Sequence, residues 1–422
     1  MAGDNNLSED GVKDIREMEE TGEGQETFCI VEFDSQGPQP GGFNGTIRYE
    51  ITQKDPRTGK GHRKVIERFE DRDSGDKETL VKSLKWATED YSSENYLVVI
   101  WNHGSGFRDT RRLPLRAGLR GAPRRRAGTL FNHSISLSEH AGSRNIATDD
   151  TTGNNLDMIE LSDALQEAGF SDSSKKMGVL GFDACLMNML EVTYEMSKNA
   201  HLLVGSEELE PGLGWPYAHD LKSLNSIGAD SVQLAKDLVK NYRQFYSRSP
   251  YNTDEYWPVT QSAVDLDQIS ELAASVNEFG ATINSSLTSD YDNVLVRISA
   301  IREEVQHYTV NNPQADFDDY VDLGDLALLF RDSFNDSNVK TSASKVIENL
   351  KKAVIAETHL GKEVQNSHGL TIWFPETAHK YHLHRKSYEK LAMTKKFNNW
   401  NNFLNNYHRT RAPSHALRRG KF

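Results

Sequence analysis

Cysteine is nearly absent from this 422-residue chain, which has only Cys29 and Cys185. Two thiols cannot build a disulfide framework, so the fold has to be held by its core. Cys29 lies in TFCIVEF, a β-branched and aromatic run that predicts a buried strand thiol. Long apolar runs are lacking too. No stretch reaches the ~18 apolar residues of a membrane helix, and the opening MAGDNNLSED has neither the basic nor the apolar region of an export signal. Positive charge is in deficit, 49 Lys and Arg against 62 Asp and Glu, for a formal net charge of −13. Nucleic acid is therefore not an expected partner, because phosphate contacts need clustered Lys and Arg on one face. Residues 108–126, RDTRRLPLRAGLRGAPRRR, are the exception, dense in Arg and interrupted by Pro and Gly.

What is present is a succession of short apolar runs alternating with stretches of helical period. TFCIVEFD (27–34), TIRYEIT (46–52), YLVVIWN (96–102), MGVLGFD (177–183) and HLLVGS (201–206) predict strands. Leu80, Leu84, Ala87 and Tyr91 fall on one helical stripe behind Asp76 as N-cap; Leu156, Ile159, Leu161, Leu165 and Ala168 form another, closed by Gly169. This order favours an α/β fold whose sheet is largely parallel and covered on both faces. The second half is more helical, with Val232, Ala235, Leu238, Val239, Tyr242 and Phe245 on one face and Ala343, Val346, Ile347, Leu350, Val354 and Ile355 on another. A late strand, GLTIWFP (369–375), and an aromatic helix around Phe397, Trp400, Phe403 and Leu404 follow. The expected organisation is a core over 1–250, with an inserted Arg-rich loop near 105–148, and a helical and strand elaboration over 251–422 packed on the same sheet.

In open α/β sheets reactive groups collect at the carboxyl ends of the strands. YLVVIWN runs into His103-Gly104-Ser105-Gly106, and MGVLGFD runs into Ala184-Cys185 ahead of a helix expected from near Leu186, with Met187, Leu190 and Tyr194 as its buried stripe. A helix N-terminus there would stabilise a thiolate and lower the Cys185 pKa from about 8.5. One imidazole can take the proton of a thiol and later give it to a leaving amine, which makes His103 the candidate shuttle. Glycine at 104 allows close backbone approach, so the amides of Gly104 and Cys185 are candidate oxyanion donors. Taken singly, each dipeptide also fits a structural histidine or an inert thiol.

Three blocks in order, YLVVIWNHGSGF, GFDACLMNMLEV and VGSEELEPGLGWPY, resemble the clostripain family of cysteine peptidases, relatives of gingipains, legumains and caspases. AGDNNL (2–7), NIATDDTTGNNLDMIEL (145–161), TQSAVDL (260–266), GLTIWFP and the closing helix extend the resemblance over nearly the whole chain. It implies a caspase-like α/β/α sandwich with a mostly parallel central sheet and a helical C-terminal elaboration. It also implies a catalytic dyad of His103 and Cys185 with no obligatory third residue. Peptides or proteins are the implied substrates, cut after Arg or Lys read by acidic residues. Asp183 matches one such position, and Ser206 and Glu207 are further substrate-binding candidates. Leu213 stands where an acidic residue often lies between the two glycines of EPG-x-GW, so Glu207, Glu208 or Glu210 would have to take its part.

The interval between the His and Cys blocks is wider than the resemblance leads one to expect. Within it the family places a self-cleavage site, here after Arg112 or within Arg124, Arg125 and Arg126; the same run reads equally as an unprocessed insertion or a gene-model error. No cofactor is required by the sequence. The resemblance admits calcium, although no EF-hand loop with its closing Glu occurs, and His133, His140, Asp149 and Asp150 do not match a zinc spacing. Relatives have an apolar strand before the AGDNNL block, so the expectation is either that this first strand is missing or that another segment covers the exposed sheet edge. Secretion or surface exposure is what the family implies. A second functional reading stays open, a caspase-like binding or surface-interaction module whose dyad does no chemistry.

Overall fold

The structure, a computed structural model, describes residues 1–39, 42–108, 146–172, 174–227, 230–248, 258–308 and 319–409. Arg112, Arg124, Arg125, Arg126, His133 and His140 lie outside the described residues. β1 (Ala2–Gly3) and α1 (Ser8–Thr21) open the chain, followed by β2 (Ile30–Ser35), β3 (Thr46–Ile51) and β4 (Arg63–Phe69). β1 pairs parallel with β2, Ala2 opposite Asp34, and the other pairings are antiparallel, giving a sheet of order β1-β2-β3-β4. α2 (Lys77–Asp90) starts after Asp76, whose side chain makes no capping bond.

The second sheet is built by β5 (Leu97–Trp101), α3 (Met158–Glu167), β6 (Met177–Asp183), α4 (Leu190–Met196) and β7 (Ala200–Gly205). The three strands are mutually parallel, as strand–helix–strand order requires. β6 is buried at every position, which is why MGVLGFD reads as a continuous apolar run rather than an alternation. Asp157 and Glu160 make a reciprocal capping box at the start of α3. Next come α5 (Tyr217–Ile227), α6 (Ser231–Tyr246) and β8 (Val259–Asp265). After them the chain runs through α7 (Ile269–Ser289), α8 (Tyr291–Glu304), β9 (Tyr320–Asp322), α9 (Leu323–Ser333), α10 (Ser337–Ala353) and β10 (Val354–Leu360). β8 and β10 join antiparallel, so the sheet has order β10-β8-β7-β6-β5: parallel at its centre and antiparallel on one flank.

A short antiparallel pair, β9 with β11 (Thr371–Trp373), stands apart from both sheets. The chain then closes through α11 (Ala378–Tyr388), α12 (Ala392–Lys396) and α13 (Asn399–Arg409). Phe279, Phe330, Phe374, Trp400, Phe403 and Tyr407 form an aromatic core between these helices and α7.

Three expectations are corrected. Val354 and Ile355 do not continue the helical face of Val346 and Leu350; α10 stops at Ala353, and both belong to β10. Val232 is 47 % exposed, and the buried face of α6 starts at Leu234. Cys29 is half-buried one residue before β2, on the wall of a cavity of about 660 Å³ that Ile30, Val31, Leu97, Val99 and Leu221 also line. That cavity lies beside β1, where β2 of one sheet and the edge strand β5 of the other face each other. No described helix is long and apolar enough to cross a membrane.

Candidate functional site

The parallel ladder of β5 and β6 pairs Leu97 with Val179 and Trp101 with Asp183, a constant offset. His103 and Cys185 each lie two residues beyond the last pair, at the same height. Asn102 N still donates to Asp183 O (3.2 Å), so the register persists past the strand ends. Gly104 rests against the other strand's exit: a Cβ there would overlap Cys185 O and come within 3.1 Å of Cys185 N. Glycine is thus required at 104 by close approach rather than by backbone angle.

Both side chains are enclosed, His103 being 5 % and Cys185 4 % exposed. His103 Nε2 is 2.9 Å from Asn6 Oδ1. In the neutral ring a proton on Nε2 satisfies that contact and makes Nδ1 the basic nitrogen. Asn6, in the turn between β1 and α1, is a contact that sequence reasoning missed. Its only signal was its place in the AGDNNL block.

Helix α4 begins at Leu190, not at Leu186, and Leu186 has φ of +62°. Cys185 is therefore not at a helix N-terminus. Instead the chain turns so that Leu186 N donates to Glu208 O (3.2 Å) and Asn188 N to Ser206 O (3.0 Å), and Cys185 Sγ accepts from Glu210 N at 3.3 Å. The expected lowering of the thiol pKa is reversed. Burial pushes it well above its ordinary value, the Glu210 carboxylate adds to the rise, and the Glu210 amide opposes it only in part.

Asp183 is fully buried behind Cys185, with Oδ2 accepting from Tyr217 OH (2.7 Å) and Trp215 N (3.3 Å). The Glu210 carboxyl stands against it. Burial, then the charge of Asp183, hold Glu210 well above the carboxylate range, so the two acids share a proton. Gly214 closes over them, since a Cβ there would sit 2.9 Å from Asp183 Oδ2, and half-buried Leu213 precedes it. Asp14, which accepts from Trp101 Nε1 at 2.7 Å, and Asp220 flank the pair, and burial raises both. Among the described residues none of these four carboxyls is in an ion pair with Lys or Arg.

Ser206 and Glu207 do not join this group. Ser206 Oγ is 2.9 Å from Thr260 Oγ1 and accepts from Glu208 N. Glu207 points into a separate buried cluster, accepting from Tyr308 OH (2.9 Å) and Gly369 N (3.1 Å) beside Asp322. Both are buried in the 206–210 turn, with their side chains bonded within the protein. Farther along the His103 loop, Tyr320 OH donates to Ser105 O (2.6 Å) and Arg108 pairs with Asp319 (2.8 Å) in full burial. The first arginine of the Arg-rich run is therefore a structural anchor.

The sequence profile of the clostripain family matches residues 1–117 and 130–407. The chain belongs to that family. The unmatched interval, 118–129, takes in the second half of the Arg-rich run and the three residues after it. Clostripain of Hathewaya histolytica is 22 % identical over 336 residues, 73 % of this chain, and this chain spans only 58 % of that protein's length. A secreted C11 cysteine protease from Bacteroides thetaiotaomicron, solved with an irreversible peptide inhibitor, has TM-score 0.63 at 18 % identity, covering 94 % of this chain and 96 % of its own. An inactive zymogen C11 protease from Parabacteroides distasonis has TM-score 0.62 at 18 % identity, covering 94 % and 95 %. These likenesses establish the caspase-like α/β fold of the family for this chain.

Proposed function

We propose that the chain is a cysteine endopeptidase working through Cys185 and His103, with a preference for Arg or Lys before the scissile bond. The observation that carries the reading is the shared register of His103 and Cys185 at adjacent strand ends, directly over a buried, cation-free group of acids. Sulfur bonds to the peptide carbonyl carbon while the thiol proton passes to His103. The imidazolium then protonates the amine as the C–N bond breaks, and water hydrolyses the thioester to release the acid and restore the thiol. The amides of Gly104 and Cys185 are the candidate donors to the oxyanion.

Because burial keeps the resting thiol neutral, proton transfer accompanies attack instead of preceding it. Asp183 and Glu210 supply the acidic wall of the specificity pocket, Glu210 serving where Leu213 cannot, and a guanidinium or ammonium would supply the charge this wall lacks. The Arg-rich segment is the chain's own substrate in this reading. The test is a cleavage assay on a mixed peptide library with wild-type and Cys185→Ala protein. Cutting after basic residues by the wild type alone is expected. No cutting by either would favour a non-catalytic binding module, and cutting by both would remove Cys185 from the chemistry.

A further inference from the structure

The turn 206–210 lies beyond the sheet's own pairing, because β7 ends at Gly205, opposite Ser262 of β8. Yet this turn grips the Cys185 segment at three points. Ser206 O accepts from Asn188 N, Glu208 O accepts from Leu186 N, and Glu210 N donates to Cys185 Sγ. A segment without a ladder keeps its shape only where its amides and side chains are tied to something else. Thr260 Oγ1 gives one tie, accepting from the amides of Glu207 and Glu208 at 3.0 Å each. The Glu207 carboxyl gives another, to Tyr308 and Gly369, which lie 101 and 162 positions further along the chain.

The surroundings of that carboxyl define its role. Glu207 and Asp322 are both buried, and their carboxyls are hydrogen-bonded to each other. Two carboxylates cannot meet in a dry site without a proton between them. Asp322 Oδ1 accepts from Asp325 N (2.6 Å) and lies 2.8 Å from His368 Nδ1, while Oδ2 accepts from His368 N (2.6 Å). Asp322 is thus surrounded by donors, and the proton between the pair belongs to Glu207. Burial, then the charge of Asp322, hold Glu207 well above the carboxylate range. As an acid it donates to Asp322 and still accepts from Tyr308 OH (2.9 Å) and Gly369 N (3.1 Å).

We propose that Glu207 is a positioning residue of the candidate site: its carboxyl, tied to Asp322, Tyr308 and Gly369, holds the 206–210 turn in the shape that grips the Cys185 segment. Its effect on rate rests on Cys185 being the nucleophile; its hold on the turn does not. Residue 207 supplies hydrogen-bonding shape here, not charge. Gln can donate to Asp322 and accept from Tyr308 or Gly369 N, and Ala can do neither.

The test combines amide hydrogen exchange with peptide cleavage, on the full chain as parent, Glu207→Gln, Glu207→Ala and Tyr308→Phe. In Glu207→Ala, exchange at Leu186, Asn188 and Glu210 should quicken by on the order of 10-fold or more while the amides of β6 and β7 keep their rates. Cleavage should fall by on the order of 10- to 100-fold, as expected for a misplaced nucleophile. Glu207→Gln should stay within about threefold of the parent in both readouts. Tyr308→Phe removes a single donor and should quicken exchange at the same amides by about 2- to 10-fold; it decides the matter should Glu207→Ala fail to fold. Unchanged exchange at these amides overturns the assignment, as does faster exchange throughout β6 and β7, which would mean a general loss of stability. A Glu207→Gln protein as impaired as Glu207→Ala overturns it too. If the parent cuts no peptide, the reading of Cys185 as nucleophile fails, and the exchange result alone decides whether Glu207 holds the turn.

Discussion

His103 and Cys185 leave neighbouring parallel strands at the same height, two residues past the pair Trp101–Asp183, and Gly104 is the residue that lets their loops touch. The juxtaposition is made by backbone pairing of the edge strand β5 with β6 and is fixed by that register. Such placement is more rigid than one built on connecting segments. It also makes the site sensitive to any added volume at 104. Gly104→Ala is expected to abolish peptide cleavage and cost about 1–3 kcal/mol of stability from overpacking against Cys185. Denaturant unfolding together with a peptide assay checks both. Full activity in this variant would show that the approach of the two loops is not needed.

Asn6 tests how the imidazole is held. Removing its oxygen with Asn6→Ala frees the ring and should lower kcat while leaving KM nearly unchanged. Asn6→Asp should do something a structural role would not: a carboxylate beside Nε2 stabilises the imidazolium, moving the His103 pKa upward by roughly 1 unit. The limb of the pH–rate profile set by that group should move to higher pH by the same amount. An unmoved profile in Asn6→Asp would detach Asn6 from the His103 ring.

If Asp183 reads the basic side chain, Asp183→Asn deletes the charge that a desolvated guanidinium needs, a loss of about 2–5 kcal/mol. Cleavage after Arg should then fall by orders of magnitude more than cleavage after an uncharged residue. Comparing kcat/KM for paired substrates checks it. Equal losses would mean that Asp183 supports the site through Tyr217 and Trp215 without reading the substrate.

How much of this was legible in the sequence follows from the kind of signal each part leaves. β5, β6 and β7 were readable because fully covered strands are apolar runs, and His103 and Cys185 because each follows such a run directly. β4 was missed because RKVIERF is half-exposed along most of its length and shows neither clean alternation nor an apolar run. β10 was mistaken for helix because Val354 and Ile355 extend the apolar spacing of α10, and only pairing with β8 decides against it. The Asn6 contact with His103 spans 97 residues, and no local pattern encodes it. The reversed thiol pKa depends on where α4 starts and on Glu210 arriving from another loop, which also lies beyond local patterning.

Glu191 gives the fold an unusual response to pH. It is fully buried, with Oε1 accepting from Trp373 N (3.0 Å) and Tyr388 OH (3.1 Å), and burial raises its pKa from 4.5 to about 7. Here the folded state binds the proton more tightly than the unfolded state. The stabilisation is therefore complete below pH ~4.5 and lost as pH rises through about 7, an amount on the order of 3 kcal/mol. Glu191→Gln keeps an acceptor for both donors and cannot ionise. Its stability, read from denaturant midpoints between pH 5 and 8, should fall less steeply than that of the wild type. Parallel curves would assign the slope to other carboxyls.

Self-processing between the His and Cys blocks is the outcome expected if the proposed chemistry acts on the chain itself. Arg108, buried against Asp319, is anchored, whereas the arginines at 112 and 124–126 fall in the interval between Arg108 and Ile146, whose flanks are both tied down. Family resemblance matches up to 117 and resumes at 130, so part of this run is extra to the family pattern and carries a density of Arg that an Arg-directed enzyme would meet first in its own chain. Cutting there would leave β5 on one fragment and β6 on the other, and the ladder from Leu97–Val179 to Trp101–Asp183 would keep the fragments together. Wild-type protein incubated alone should give two fragments that co-elute on a sizing column and separate in denaturant, with new termini after Arg112 or within Arg124 to Arg126. Cys185→Ala should remain one chain, and adding a trace of wild type to it reveals whether cutting also occurs between molecules. Equal cutting of both proteins would point to a foreign protease. An intact wild-type chain with full peptidase activity would show that the Arg-rich run has no part in maturation.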